Sequence, residues 1–186
     1  MRRASREWML SRCVGNFLAD GRGLSAVEFA LLLPLMLTLY LGTVEVANGV
    51  AADRKVAITA RTVADLASRM TTINNADMTN ILNASSAVIA PYSDANLQVT
   101  VSEVSIDANG TARITWSDSL HGTAHTVGVT VTVPASLAVP NTSLIFGEAQ
   151  YNYNPTFGYV LTGTMTLKSQ MYMAPRLTST VSRANS

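Results

Sequence analysis

Phe29 to Val44 reads Phe-Ala-Leu-Leu-Leu-Pro-Leu-Met-Leu-Thr-Leu-Tyr-Leu-Gly-Thr-Val, sixteen residues without a charged side chain. The surrounding low-polarity segment runs from Leu24 to Ala52, 29 residues interrupted only by Glu28 and Glu45. A helix needs about 20 apolar residues to cross a hydrocarbon core, so this segment predicts a membrane-spanning helix. A helix this apolar can also be buried in a soluble core. The roughly 116 residues after Met70 are too few to surround it on all sides, which favours insertion. Pro34 lies inside the span, where it removes one backbone donor and predicts a kink of a kind membrane helices tolerate. Gly42 and Gly49 leave small notches for a neighbouring helix, spaced by seven rather than the four of the usual small-residue motif.

Beyond the span the period stays helical. Val56, Val63 and Met70 recur every seven residues, with Ala60, Leu66 and Ala67 on the same side. Arg54, Lys55, Arg61, Asp65 and Arg69 occupy much of the remainder, and Arg61, Asp65 and Arg69 are spaced by four for mutual support. One helix over about 24–70 is predicted, its second half amphipathic. Asn74-Asn-Ala-Asp77 reads as a break and a cap, and Met78, Ile81, Leu82, Ala84, Val88 and Ile89 predict a second helix over about 77–90, ended by Pro91.

The period then changes to two. Leu97, Val99 and Val101 alternate, and the apolar positions shift phase at Val104 and Ile106, which predicts a bulge. Asp107-Ala-Asn109-Gly110 is a hairpin turn, because Asn-Gly accepts positive φ. Ala112, Ile114 and Trp116 alternate on the return strand, and Val127, Val129, Val131 and Val133 predict a further strand stopped by Pro134. Glu148 to Tyr153 alternates again, after a loop with Pro140, while Met165 with Leu167 and Met171 with Met173 give weaker strand signals. Such strands predict a sheet with one apolar face and one rich in Thr, Ser and Asn, the apolar face covered by the amphipathic helix. The last dozen residues, from Pro175, are polar and predicted to be loose.

The fold class that follows is α+β: a long N-terminal helix, transmembrane and then amphipathic, packed on a small antiparallel sheet. The predicted organisation is a leader over 1–23, a transmembrane helix over 24–52, its amphipathic extension over 53–73, and an extracytoplasmic domain over 74–186. A chain of 186 residues holds one modest domain plus an anchor.

Charge adds orientation. The net charge of +1 gives no broad basic surface for nucleic acid. Arg2, Arg3, Arg6, Arg12 and Arg22 outnumber Glu7 and Asp20 before the span, which favours a cytoplasmic N-terminus and an outer C-terminal region. The single cysteine, Cys13, forbids an intramolecular disulfide, and Arg12 together with an apolar run that follows Cys13 argues against a lipidation signal. A secretory signal cut near Val46-Ala47-Asn48 or Val50-Ala51-Ala52 is the other way to read the apolar run, which is long for that role.

Catalytic chemistry finds no foothold. His121 and His125 stand four apart, a metal spacing on a helix, but Gly122 and the flanking strands place them in a loop without a nearby third ligand. The chain has no nucleophile elbow, no phosphate loop and no Cys-x-x-Cys pair. Glu103, Asp107 and Asp118 are read as turn and solvated-face carboxylates, and Trp116, Tyr151, Tyr153 and Tyr159 as core or interface residues. Asn83-Ala-Ser85 and Asn141-Thr-Ser143 match the glycosylation acceptor pattern, which is common by chance. No enzyme activity, metal or cofactor is implied.

Gly23 and Glu28 remain. A carboxylate near a helix N-terminus is favoured by the helix dipole, which accounts for Glu28 but not for its distance from Gly23. If the chain is cut after Gly23, Leu24 gains a free ammonium and Glu28 lies about one turn on. In a stack of such helices Glu28 can pair with a neighbour's new N-terminus, fixing axial register in a medium where each charge alone is expensive.

Gly23, then Ala26-Val27-Glu28-Phe29-Ala30-Leu31-Leu32-Leu33-Pro34, with a second acid at Glu45, resembles the TadE/TadG-like family, pilin-like (pseudopilin) proteins of tight-adherence (Flp) type IV pili. The resemblance is specific over about 24–52 and softer to Arg69; Tyr151-Asn-Tyr153 with Pro155, and Ala174-Pro175-Arg176, are similar to features of relatives. It implies a pilin-like fold and prepilin-peptidase processing between Gly23 and Leu24, with Glu28 and Phe29 as the peptidase and register motif. It also implies a role in pilus assembly with other pilin-like subunits and the tight-adherence machinery, from the inner membrane with the C-terminal domain periplasmic. The Asp-x-Ser-x-Ser metal string of TadG-type relatives is absent, and Leu24 in place of an aromatic residue leaves N-methylation open. An uncleaved single-span envelope protein whose sheet domain binds a ligand or partner is the competing reading.

Overall fold

In the computed structural model, which describes residues 22–155 and 163–184, a single helix, α1 (Arg22–Ser68), carries both the apolar run and the amphipathic stripe. Most of the leader, with Cys13, and Tyr159 lie outside the described residues. The strand β1 (Thr72–Ile73) and the helix α2 (Asn75–Ile89) follow. Asn74 caps α2: its side chain accepts from the Asp77 backbone at 2.9 Å and its own N–H donates to the Asp77 carboxylate at 3.3 Å. This capping box satisfies donors that the first helical turn leaves unpaired. At the other end, Lys55 Nζ donates to the Val88 carbonyl at 3.2 Å, a cation where the dipole favours one.

A short 3-10 turn (Asp94–Asn96) leads into β2 (Leu97–Ile106), β3 (Ala112–Leu120), β4 (Thr142–Tyr153), β5 (Met165–Met173) and β6 (Ser182–Arg183). The main sheet has the order β3-β2-β4-β5 and is antiparallel throughout. The architecture is thus α+β, a long N-terminal helix and a small antiparallel sheet. The two signals at Met165–Leu167 and Met171–Met173 belong to one strand, β5.

The chain divides into two units at Val44/Glu45. In the second unit, the C-terminal half of α1 lies on the sheet. Ala52, Val56, Ala60, Val63, Ala64 and Ala67 are fully buried and share a core with Leu97, Val99, Val101, Ile145, Ala149 and Tyr151. Leu66 and Met70, expected in the same stripe, are half-buried at its margin. The alanines permit close approach, and Gly147 on β4 marks its tightest point. A Cβ there would lie 2.7 Å from the Ala60 carbonyl oxygen and 2.9 Å from Ala64 Cβ.

The bulge is present, but its extra residue belongs to β3. Glu103 pairs with Trp116 and Val104 with Ile114, leaving Thr115 without a partner in register, while β2 runs unbroken against β4. The consequence corrects the expectation that Ala112, Ile114 and Trp116 share a face. Trp116 joins the core beneath the helices; Ala112 and Ile114 join Val104, Ile106, Leu144 and Phe146 in a second cluster. The sheet's other face is therefore polar at one end only. In the hairpin turn only Gly110, at φ 78°, takes the left-handed conformation, and the Asp107 carboxylate accepts from the Asn109 and Thr111 backbone.

Val127–Val133 is not a strand. It meets β3 through one bridge, Arg113–Thr130, and backbone hydrogen bonds such as Val131 N–H to the Ala112 carbonyl at 3.0 Å. Gly128 at φ 85° breaks the extended run; Val131 and Val133 pack on the second cluster, whereas Val127 stays 64% exposed. The alternation reflected a half-covering loop, not a ladder.

The C-terminal segment is not loose. Val181 is fully buried; its N–H donates to Glu103 Oε1 at 2.8 Å and its carbonyl accepts from the Trp116 indole at 2.7 Å. β6 then pairs in parallel with β1, and the Arg183 guanidinium reaches Asp118 at 2.9 Å. Asp65 joins Arg69 at 2.5 Å, just past the end of α1, and Arg176 from the tail. Glu103 is accordingly a buried anchor rather than a solvated carboxylate, with Thr115 Oγ1 donating to it at 3.0 Å.

Gly147→Val should destabilise the folded domain by about 1–3 kcal/mol or more, because backbone sits where the side chain must go. Chemical denaturation of the extracted protein checks this. Glu103→Ala leaves the Val181 N–H buried without its acceptor, at a cost of about 1–3 kcal/mol. Limited proteolysis should then cut the tail after Pro175 while leaving β2–β5 intact.

Candidate packing helix and its boundary

In the first unit α1 is exposed along its apolar run. Val27, Phe29, Leu31, Leu33, Leu35, Met36, Leu39 and Tyr40 lie between 46% and 75% exposed. Such a surface is unfavourable in water and suits lipid or partner helices. The helix continues through Pro34, whose carbonyl accepts from Thr38 Oγ1 at 2.8 Å; Thr43 Oγ1 folds back on the Leu39 carbonyl in the same way. Hydroxyls folded back on their own helix present no unpaired donor to a hydrocarbon medium. Gly23 and Leu24 stand in the first turns of α1, and Glu28 and Phe29 follow on exposed positions. Gly42 is open, and a Cβ at Gly49 would approach Tyr153 Cε1 at 4.0 Å.

The second unit begins with Glu45. Tyr153 Oη, from the end of β4, donates to Glu45 Oε1 at 3.0 Å. Tyr92 Oη donates to the Asn48 carbonyl at 3.4 Å, and the Tyr92 ring lies 6.0 Å from Tyr151 and 6.5 Å from Tyr153. Burial pushes the Tyr153 phenol up to about 12, with the bond to the Glu45 carboxylate and its charge acting in the same direction. The sequence marked Glu45 and Tyr153 separately. Their pairing across 108 positions, and the part of Tyr92, had no local signal.

The two histidines do not converge on a site. His121 Nδ1 donates to the Leu97 carbonyl at 3.2 Å, and His125 Nε2 pairs with Glu148, which also accepts from Gln170 Nε2 at 3.2 Å. The described residues contain no group of three or more metal-ligating side chains. The His125 ring stacks over Phe146, which stacks on Tyr172 at 4.4 Å, so His125 helps hold the 121–139 loop against the sheet.

Residues 23–65 match the family model described as TadE-like protein. This segment is TadE-like. The match spans Gly23, Leu24, Glu28, Phe29, Pro34, Gly42 and Glu45, and it ends inside the buried stripe, short of the sheet. The match covers less than half of the chain, and over that segment it supports an association with tight-adherence pili in general terms. Among the described residues, one helix, near the N-terminus, is long and apolar enough to cross a membrane, consistent with a single-pass membrane protein. No curated protein and no solved structure matches the chain.

The TadE-like segment and the sheet are tied by a pH-sensitive bond. A phenol whose folded value is raised contributes stability that is complete below about 10, the usual tyrosine value, and is lost as pH climbs towards about 12. The wild type should therefore lose stability more steeply than Tyr153→Phe between these values, measured by chemical denaturation at a series of alkaline pH values.

Proposed function

We propose that this chain is a minor pilin or pseudopilin of a tight-adherence (Flp) type IV pilus, cut by a prepilin peptidase after Gly23 and acting in pilus assembly and surface adherence. The observation that carries the reading is Gly23-Leu-Ser-Ala-Val-Glu28-Phe29 at the head of an exposed apolar helix, within the TadE-like match. Cleavage converts Leu24 into a cation four residues before Glu28. Among packed helices in a low-dielectric bundle, the Glu28 carboxylate of one subunit neutralises the N-terminal ammonium of the next. A subunit out of register leaves both charges buried and unpaired, so the pair selects register as well as partner.

The basic leader keeps the N-terminus cytoplasmic and the sheet domain periplasmic in the inner membrane until the subunit enters or primes the fibre. The partners on this reading are the peptidase, other pilin-like subunits and the tight-adherence machinery.

A second reading, an uncleaved single-span protein whose sheet domain binds a ligand, draws on the polar end of the sheet. There Gln98, Thr100, His125, Glu148, Lys168 and Gln170 line an open groove of about 330 Å³.

N-terminal sequencing and intact mass of the membrane-extracted protein separate the two. A start at Leu24 is expected, and Gly23→Leu should abolish it; a start at Met1 would favour the uncleaved protein. Glu28→Ala should leave insertion unchanged. Because breaking a buried pair costs about 3–5 kcal/mol, it should weaken subunit association about a hundredfold or more. Crosslinking of subunits in the membrane measures the effect, and unchanged association would sink the pairing argument.

A further inference from the structure

We propose that the groove between the Glu45–Asp53 stretch of α1 and the start of β5 is a phospholipid seat that rests the sheet domain on the outer surface of the membrane. The inference rests on the reading that α1 spans the bilayer up to Val44. Glu28 and Glu45 are the carboxylates that bracket the uncharged run, and seventeen residues at about 1.5 Å each separate them by about 26 Å. A hydrocarbon core is about 30 Å thick, so Glu45 falls at the level of the outer headgroups.

Tyr153, bound to Glu45, and Tyr92, bound to the Asn48 carbonyl, stand at that level, and amphipathic aromatic rings concentrate at membrane–water interfaces. Beside them the groove encloses about 480 Å³. Val46 and Val50 on the helix, and Met165 and Leu167 on β5, line it with apolar surface. Val46, Val50 and Met165 are 68%, 49% and 47% exposed. The groove's first apolar residue, Val46, follows directly on Glu45, where the uncharged run ends in the sequence. The groove is therefore placed to receive the upper carbons of an acyl chain.

Glu45 and Asp53 edge the groove eight residues apart on the same helix, about 12 Å along its axis. Carboxylates beside an apolar slot favour a headgroup ending in a primary ammonium over an anionic one. A phosphatidylethanolamine-type lipid fits both features.

The test uses the full-length chain with Cys13→Ser and single fluorophore-labelled cysteines, reconstituted in phosphatidylethanolamine–phosphatidylglycerol vesicles at about one copy per vesicle. Leu35→Cys reports the span, Met165→Cys the groove, and Asn109→Cys the opposite end of β2 from the groove. Headgroup-level nitroxide lipids should quench the Met165 probe severalfold more than the Asn109 probe, and aqueous iodide should do the reverse. Vesicles of phosphatidylglycerol alone should reduce the lipid quenching at Met165 without changing that at Leu35.

A Met165 probe as open to iodide as the Asn109 probe, with Leu35 buried in lipid, would overturn the seat and leave the membrane span standing. Iodide protection of Met165 seen only at many copies per vesicle would overturn it in favour of a second copy. A Leu35 probe open to iodide would remove the span and the seat together. Equal quenching in both vesicle types would overturn the headgroup preference.

Discussion

The close approach of α1 to β4 is the contact on which the soluble half of this protein depends. A helix can lie this near a strand only if both surfaces are built from small residues. Here Ala60 and Ala64 meet Gly147, where even a methyl group would overlap the helix backbone. The buried stripe from Ala52 to Ala67 follows from that contact, because once the helix is seated its alanines and valines fill the space over Val99, Val101 and Ala149. The same helix carries the exposed apolar run, so one continuous element serves two environments. Toward its N-terminus it is clothed in Leu and Met, which suit lipid or neighbouring helices. Toward its C-terminus it is clothed in Ala and Val, which suit a sheet.

The second organising feature is the bulge at Thr115. By adding one residue to β3 it sends Trp116 to the helix side and Ile114 to the other, and so divides the apolar content of the sheet between two clusters. The loop 121–139 covers the second cluster with Val131 and Val133. Near the bulge, Glu103 and Trp116 present a buried acceptor and a buried donor, and the backbone of Val181 supplies the complement of each. A polar C-terminal segment is thereby held against the sheet domain, because releasing it would strand both groups without partners.

The proposed function gathers at the carboxylates of α1. Glu28 sits at the head of the exposed run, and the proposed use of its charge is register among packed helices. Glu45 sits at the end of that run, where a tyrosine hydroxyl already binds it. The two carboxylates bracket the uncharged run, and the proposed work of each differs: Glu28 toward other subunits, Glu45 toward the sheet domain and the membrane surface beside it.

Much of this was legible in the residues. The long helix, the cap at Asn74, the second helix, the hairpin at Asn109-Gly110 and the strand ending in Tyr153 all rest on local rules: a period of 3.6 or 2, a capping side chain, a turn residue. The TadE-like segment was legible for the same reason, since Gly23 to Pro34 is a contiguous string. The alternating valines at 127–133 misled because alternation records which side chains face a core, and a loop laid on a sheet edge shares that record without the ladder. The tail misled because its polarity hid one buried residue, Val181, whose importance lies in its backbone. Which strand carried the bulge, that Glu103 is buried, that Tyr153 finds Glu45 and that Gly147 meets Ala60 were decided by tertiary structure alone. Each joins positions far apart in the chain, and local pattern carries no information about which distant groups will satisfy a buried donor, acceptor or void.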